Sequence, residues 1–323
     1  MASLVSRREA LIGVGSALAM LPTGNLHAAE ALPVVHVGVI PIFTVAPHFA
    51  ADKLGYFAAE GIATTTQPVQ GGAVGIPGLA SGSFDVLYTN SISVLTALER
   101  GIDLRIIAEA TTIPTHPPDV DALFMRKGDT MRSGKDLEGK SIAITARFDL
   151  MWLVMQGWIK KTGGNLDKIT YREVPTPSML DALKSGQVDA ALVLDPYMTI
   201  GLGDPNFEVL AWPSSTVMPG LPSSLWVVSG AGAEAKKDLI SAYIRGFRKG
   251  VKWFNEKLGT PEFIELVASY TKTDPKLLAK MYAAKQPTEI SIDALNRLVA
   301  ISRDYGILKS DVDVAAKIFA MTG

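Results

Sequence analysis

The chain has 323 residues, 48% of them hydrophobic, and 31 Lys and Arg stand against 32 Asp and Glu for a formal net charge of −1. That length fills two lobes of ordinary domain size, and the charge balance removes the bulk electrostatic signal of a nucleic-acid binder. Cysteine is absent and the four histidines, His27, His36, His48 and His116, are scattered without metal-ligand spacing, which excludes disulfides, thiol nucleophiles, iron–sulfur clusters and thiolate zinc sites and leaves no metal or cofactor expected.

The N-terminus reads as targeting rather than fold. Ser6-Arg7-Arg8-Glu9-Ala10-Leu11 sets an arginine pair before the apolar run Ala10–Leu21, which has 12 residues. A membrane span needs about 20. The S-R-R-x-x-L pattern resembles a twin-arginine signal, and the small residues Ala28 and Ala29 follow it. Residues 1–29 are therefore expected to be an export signal, cleaved near Ala28 or Ala29, that delivers a soluble chain to the periplasm.

Beyond it, strand and helix patterns alternate. Val34–Ile40 is a β-branched run between two prolines. Pro47–Glu60 reads as a helix, with proline in its first turn and Gly61 at its end. Strands are expected at Phe84–Thr89, Leu104–Ala110, Asp121–Arg126, Ser141–Thr145, Ile169–Val174 and Val188–Leu194. Helices are expected at Ser91–Arg100 and near 149–163 and 176–185. This alternation argues for parallel α/β sheets. In the last third, Ile240, Ile244, Phe247, Val251, Phe254 and Leu258 form one helical stripe within 234–258. Helical patterns continue through 261–271, 275–284, 291–305 and 311–321. The basic residues of the long helix read as a solvated outer face.

One phrase occurs twice. Leu79-Ala80-Ser81-Gly82-Ser83-Phe84-Asp85 and Leu183-Lys184-Ser185-Gly186-Gln187-Val188-Asp189 share L-x-S-G-x-φ-D. In each a helix should end at glycine and a strand begin at once. Each is preceded by a short strand and turn, at Gln67–Gly72 and Glu173–Pro177. One unit is thus expected to be used twice.

Pro47-His48-Phe49-Ala50-Ala51-Asp52-Lys53-Leu54-Gly55-Tyr56-Phe57-Ala58-Ala59-Glu60-Gly61-Ile62 resembles the first helix of the nitrate/sulfonate/taurine-type solute-binding proteins of ABC importers, which carry G-Y-F-x-x-E-G-I/L. Further landmarks follow in order: Gly71-Gly72, the repeated phrase, Asp136-Leu137-Glu138-Gly139-Lys140 and Asp195-Pro196-Tyr197. The resemblance covers about 34–320. It departs from the family at Ala146-Arg147-Phe148-Asp149, where many members have Gly and Ser, and at Asp195, where Glu is common. It implies a type II periplasmic-binding-protein fold, in which two α/β lobes are joined by two crossover hinges with the ligand cleft between them. Lobe one would take 34–112 plus 222–323 and lobe two 120–215, with hinges near 112–118 and 213–222.

In open α/β sheets, ligands bind beyond the carboxyl ends of the strands. That rule selects Ile42, Phe43 and Thr44, then Gln70, Gly71 and Gly72, then Thr89, Asn90 and Ser91, then Thr111 and Thr112 in lobe one. In lobe two it selects Thr145, Arg147, Phe148, Asp149, Asp195 and Tyr197. Gly71-Gly72 and Asn90-Ser91 open helices whose free N–H groups suit an oxyanion, although Asn90 or Ser91 also suits a cap. Arg147 could grip a carboxylate or sulfonate bidentately. Asp149 and Asp195 could accept hydrogen bonds from a ligand amine or hydroxyl, or serve as an N-cap and a loop brace, and Arg147 could instead pair with either of them at the rim. Phe43, Phe148 and Tyr197 could form apolar walls. His48 reads as structural.

The expected function is solute capture for an inner-membrane ABC permease and its ATPase, by closure of the lobes and without catalysis. The chain is expected to act as a monomer and to bind no nucleic acid. The expected solute is a small organic anion: a sulfonate, a taurine-like zwitterion or an aromatic carboxylate. A cationic pyrimidine precursor of thiamine is the rival, favoured by the two aspartates. A periplasmic sensor is a further alternative.

Overall fold

The computed structural model describes residues 31–69 and 71–322. The expected export signal and Gln70 lie outside the described residues. The strands are β1 (Val34–Val39), β2 (Ala63–Pro68), β3 (Val86–Asn90), β4 (Leu104–Thr112), β5 (Asp121–Arg126), β6 (Ser141–Ile144), β7 (Thr170–Glu173), β8 (Ala190–Leu194), β9 (Phe207–Ala211) and β10 (Pro222–Ser229). The helices of the first half are α1 (Ala46–Lys53), α2 (Tyr56–Ala59), α3 (Gly72–Ala80), α4 (Ser91–Glu99), α5 (Leu150–Lys161) and α6 (Thr176–Lys184). Then come α7 (Tyr197–Gly203), α8 (Pro213–Val217), α9 (Gly230–Ala235), α10 (Lys237–Lys257), α11 (Pro261–Thr271), α12 (Pro275–Leu278) and α13 (Ile292–Asp304).

The strands form two five-stranded sheets, ordered β2-β1-β3-β10-β4 and β7-β6-β8-β5-β9. Each has three parallel strands and then a fourth that is antiparallel to both its neighbours, so that the fifth runs with the first three. The fourth strand of each sheet is the one reached by crossing from the other. One apolar core, with Ile92 and Leu95 of α4 and Val154 of α5, continues from the first sheet to the second. The outer face of the first sheet packs on α10 through Ile244, Phe247 and Val251. The outer face of the second is covered by Met179 and Leu183 of α6 and Met198 of α7.

The repeated phrase has one structural meaning in both places. Gly82 and Gly186 sit at φ of 79° and 76°, the left-handed backbone that glycine adopts without a Cβ penalty. The aspartate that follows then clasps the neighbouring parallel strand, β1 in one sheet and β6 in the other. Asp85 Oδ2 accepts the His36 N–H at 2.8 Å and its own N–H donates to the His36 carbonyl at 2.7 Å. Asp189 does the same with Ser141, at 2.8 Å in each direction. Asp85→Ala and Asp189→Ala are expected to cost similar amounts, about 1–2 kcal/mol each. Urea unfolding monitored by circular dichroism measures both.

Several elements differ from the sequence expectation. The helix over 47–60 is broken into α1 and α2, because Gly55 turns the chain at φ 71°. The strand placed at Gln67–Gly72 runs instead from Ala63 to Pro68 and pairs with β1 along its length. The pattern at 234–258 starts afresh at Lys237, where α9 gives way to α10. Residues 311–321 hold only a 3-10 turn at Ala315–Lys317, since the Phe319 N–H is taken by the Ile106 carbonyl at the β4 edge, 2.9 Å away. The helix of 275–284 ends at Leu278. The chain after it is drawn out by Asn255 of α10, whose Nδ2 donates to the Gln286 carbonyl at 2.9 Å and whose Oδ1 accepts the Gln286 N–H at 2.7 Å.

The basic residues of the long helix are not all a solvated face. Arg245 and Lys249 each reach Glu60 at 2.7 Å, and Lys236 reaches Asp85 at 2.6 Å. The hydrogen bonds from Lys249 and Arg245 hold the Glu60 carboxyl below its ordinary range. The acidic residue of the family phrase thus ties α2 to α10.

Candidate ligand cleft

A cavity of about 440 Å³ opens beyond the carboxyl ends of strands from both sheets. From the first sheet it receives Ile40 and Thr44 after β1, Tyr88 and Asn90 of β3, and Thr111 of β4. From the second it receives Thr145 after β6, Thr176 after β7, and Leu194 and Asp195 at the end of β8. The drawn-out chain after α12 closes a further side with Tyr282, Ala284 and Gln286.

Of the seventeen residues named from sequence, Gln70 lies outside the described residues and ten line this cavity: Ile42, Phe43, Thr44, Gly71, Asn90, Thr111, Thr145, Asp149, Asp195 and Tyr197. Thr44 Oγ1 shares a hydrogen bond of 2.8 Å with the Tyr88 hydroxyl. Asn90 caps α4, its Oδ1 accepting from the Ser93 N–H at 2.8 Å while its Nδ2 donates to Ser93 Oγ at 2.9 Å. Asp149 caps α5. Its Oδ1 accepts the Trp152 N–H at 2.8 Å and its Oδ2 the Thr145 hydroxyl at 2.6 Å. Asp195 uses one oxygen twice, for the N–H and hydroxyl of Thr199 at 2.9 and 2.6 Å. Its Oδ2 has no protein partner among the described residues. Burial raises the carboxyl pKa of both Asp149 and Asp195 above the ordinary value.

The other six, Gly72, Thr89, Ser91, Thr112, Arg147 and Phe148, stand outside the wall. Arg147 is turned away because Glu173, at the end of β7, takes its backbone N–H at 3.0 Å. Its guanidinium then lies over the Tyr171 ring, 6.0 Å from the ring centre. Phe148, at φ 62°, is 62% exposed and packs on Trp152. Ser91 is fully buried and donates to the Pro222 carbonyl at 2.8 Å, which ties α4 to β10. Gly72 is a packing residue, since a Cβ there would lie 2.4 Å from that of Ser93. On β4 Thr111 lines the cavity and Thr112 does not, and Thr89 on β3 is fully buried.

Sequence reasoning missed Tyr88, Thr176, Ser223, Phe254, Tyr282 and Gln286. Tyr88 was within reach, because strand alternation puts it on the side of Asn90. Gln286 left no local signal. It is 4% exposed, its Nε2 donates to the Thr44 carbonyl at 2.5 Å, and its Oε1 is buried without a partner. Thr111 Oγ1 is likewise buried and unpaired. Unmet buried polar groups cost about 1–3 kcal/mol each, so the wall is set to accept donors. Among the described residues, its lining holds two carboxylates and no Lys, Arg or His.

The two chain segments that join the sheets run side by side. Ile113 N–H donates to the Leu221 carbonyl at 2.9 Å and Gly220 N–H to the Ile113 carbonyl at 3.0 Å. Asp119 accepts from the Ser215 N–H and Asp121 from the Ser214 hydroxyl. Burial, aided by the neighbouring Asp119 charge, pushes the Asp121 carboxyl from 3.8 up to about 8. The folded chain therefore favours the protonated form. Its contribution to stability is full below about pH 4 and is lost as the pH rises toward 8. The urea midpoint is expected to fall over that window, and Asp121→Asn to flatten the profile.

His48, at the start of α1, is fully buried among aromatic rings, with Thr66 Oγ1 at 2.9 Å and the Tyr243 hydroxyl at 3.2 Å. Burial lowers its pKa to about 3, so it stays neutral. No helix among the described residues is long and apolar enough to cross a membrane.

Two mixed sheets of matching strand order, with a cleft beyond their strand ends, make up the fold of the periplasmic binding proteins. The aliphatic sulphonate binding protein SsuA of Escherichia coli superposes with a TM-score of 0.73 at 15% identity, over 89% of this chain and 97% of its own. The alkanesulfonate-binding protein SsuA of Xanthomonas axonopodis pv. citri, solved with MOPS bound, gives 0.69 at 20% identity, over 90% and 99%. The periplasmic nitrate-binding protein NrtA of Synechocystis PCC 6803 gives 0.70 at 12% identity, over 88% and 84%. Among curated proteins, none matches the sequence. The family model described as NMT1/THI5 like matches residues 42–257, and the chain belongs to that family.

Proposed function

We propose that this protein is the solute-capturing component of an ABC importer, and that its solute is a small planar cation rich in N–H donors, of the amidine or aminopyrimidine kind. The observation that carries the choice of solute is the charge of the wall: Asp149 and Asp195 face the cavity, and no cationic side chain lines it. The open Oδ2 of Asp195 and the unpaired Oε1 of Gln286 both call for donors. Phe43, Tyr88, Tyr197 and Tyr282 supply flat apolar surface for a ring. The organic-anion reading leaned on Arg147, which lies on Tyr171 instead.

Capture would proceed by closure. One lobe carries the first sheet and residues 222–323, the other the second sheet, and contacts from both stabilise the closed form that a permease reads. The paired segments near 112–118 and 213–222 would bend. No covalent step is involved, and the chain would work in the periplasm after cleavage near Ala28 or Ala29.

Thermal unfolding of residues 30–323 against a ligand panel tests this reading. The panel holds aminopyrimidines, amidines, alkanesulfonates, taurine, aromatic carboxylates and nitrate. A ligand at about 100 times its dissociation constant adds about 2.7 kcal/mol, roughly 5–10 °C for a chain of this size. The expected result is a shift with an amidine or aminopyrimidine that Asp195→Asn removes. A shift with a sulfonate or nitrate alone would return the solute to the anions.

A further inference from the structure

A second cavity, of about 290 Å³, lies at the β4 edge between α10 and the chain segments around 287–292 and 318–321. None of its lining residues lines the cleft. Its walls are apolar, built by Ile107, Ile244, Phe247, Val251 and Phe319. Set into them is one buried carboxylate, Glu109, whose residue is only 4% exposed. Glu109 Oε1 accepts the Ser291 N–H at 2.6 Å. Its Oε2 has no protein partner among the described residues. Arg248 and Glu289, both exposed, also line the cavity with opposite charges, so the buried carboxylate sets the sign inside.

A carboxylate set among apolar walls with a single protein donor, the Ser291 N–H, leaves a charge and an acceptor that a cationic donor can meet. The chemistry that meets both features is an apolar group a few carbons long bearing a cationic nitrogen. We infer that this cavity is a second small-molecule site, which takes a compact aliphatic ammonium through the free oxygen of Glu109. The ammonium can belong to a simple amine or to an apolar amino acid. The segment between α12 and α13 separates the two cavities, with Tyr282, Ala284 and Gln286 toward the cleft and Pro287 to Ile290 toward this one.

Methyl NMR of the mature chain labelled at isoleucine tests the inference, because Ile107, Ile244 and Ile318 report on this cavity and Ile40 and Ile42 on the cleft. The probes are isopentylamine, leucine and the uncharged isopentanol. The inference expects the amine, leucine or both to move the first set of methyls, at least tenfold more tightly than isopentanol. Whichever of the two binds identifies the source of the ammonium. Glu109→Gln retains an oxygen for the Ser291 N–H and is expected to weaken binding at least tenfold. Asp195→Asn should leave the titration at these methyls unchanged, so the outcome is independent of the solute proposed for the cleft. Silence of these methyls with both ammonium probes, equal response to isopentanol, or undiminished binding in Glu109→Gln would overturn it.

Discussion

Asp195→Asn is expected to weaken capture of a cationic solute by about 10- to 100-fold, with the unliganded fold as stable as before or more so. The oxygen that accepts from the N–H and hydroxyl of Thr199 is retained in asparagine, so the start of α7 keeps its anchor. What disappears is the negative charge and the acceptor at Oδ2. A hydrogen bond to a charged group contributes about 1.5–3 kcal/mol, and each 1.4 kcal/mol is about tenfold in affinity. Burial already raises the Asp195 pKa, so removing the charge relieves a desolvation cost in the empty cleft. Asp149→Asn acts in the same direction, but asparagine there must place its oxygen toward either Trp152 or Thr145. Its cost to stability is therefore larger. Because both carboxylates face one ligand, the double variant is expected to fall short of the sum of the singles. Isothermal titration of the three variants measures the affinities, and thermal unfolding the stabilities.

Gly250→Val is expected to be the most damaging single change to the fold outside the cleft, at about 2–4 kcal/mol. A Cβ at residue 250 would lie 2.1 Å from the Pro47 carbonyl oxygen and 3.1 Å from Ala51 Cβ. The first obstacle is backbone, so no side-chain rotation relieves it. The helices α1 and α10 must move apart, and Gly246, which abuts Phe57 in the same seam, moves with them. The melting temperature is expected to drop by about 5–10 °C. The consequence reaches the cleft. Thr44 lies just before α1, and Gln286 holds its carbonyl, so a displaced α1 shifts a wall that Phe43 and Thr44 line. Affinity should fall as well, by less than in Asp195→Asn.

The parts of the fold legible in the sequence were those written in local patterns. The repeated L-x-S-G-x-φ-D announced two copies of one helix–strand junction. Asp85 and Asp189 do clasp His36 and Ser141 in matching fashion. The antiparallel fourth strand β10 went unread because Pro222, Ser223 and Ser224 give no alternation, although all three are buried between β3 and β4. The strand-end rule found ten of the wall residues, since position after a strand is a property of the chain. It failed where a tertiary partner sets the direction of a side chain. Glu173, 26 residues away, turns Arg147 outward. Asn255 of α10 pulls the segment holding Tyr282 and Gln286 out of its helical pattern. Neither partner is visible to a reading that moves along the sequence.

The central claim is that two carboxylates, with no opposing cation, choose the solute. Calorimetric titration of residues 30–323 with benzamidine and with benzenesulfonate, from pH 4 to pH 7, tests it most directly. The two probes share a ring and differ in charge. A bound cation stabilises the ionised forms of Asp149 and Asp195, whose pKa values stand above the ordinary 3.8. Binding therefore releases protons, and affinity must rise with pH through those raised values. The account predicts that benzamidine binds, more tightly at pH 7 than at pH 4, and that benzenesulfonate does not. Binding of the sulfonate without the amidine, or amidine affinity indifferent to pH, would contradict it.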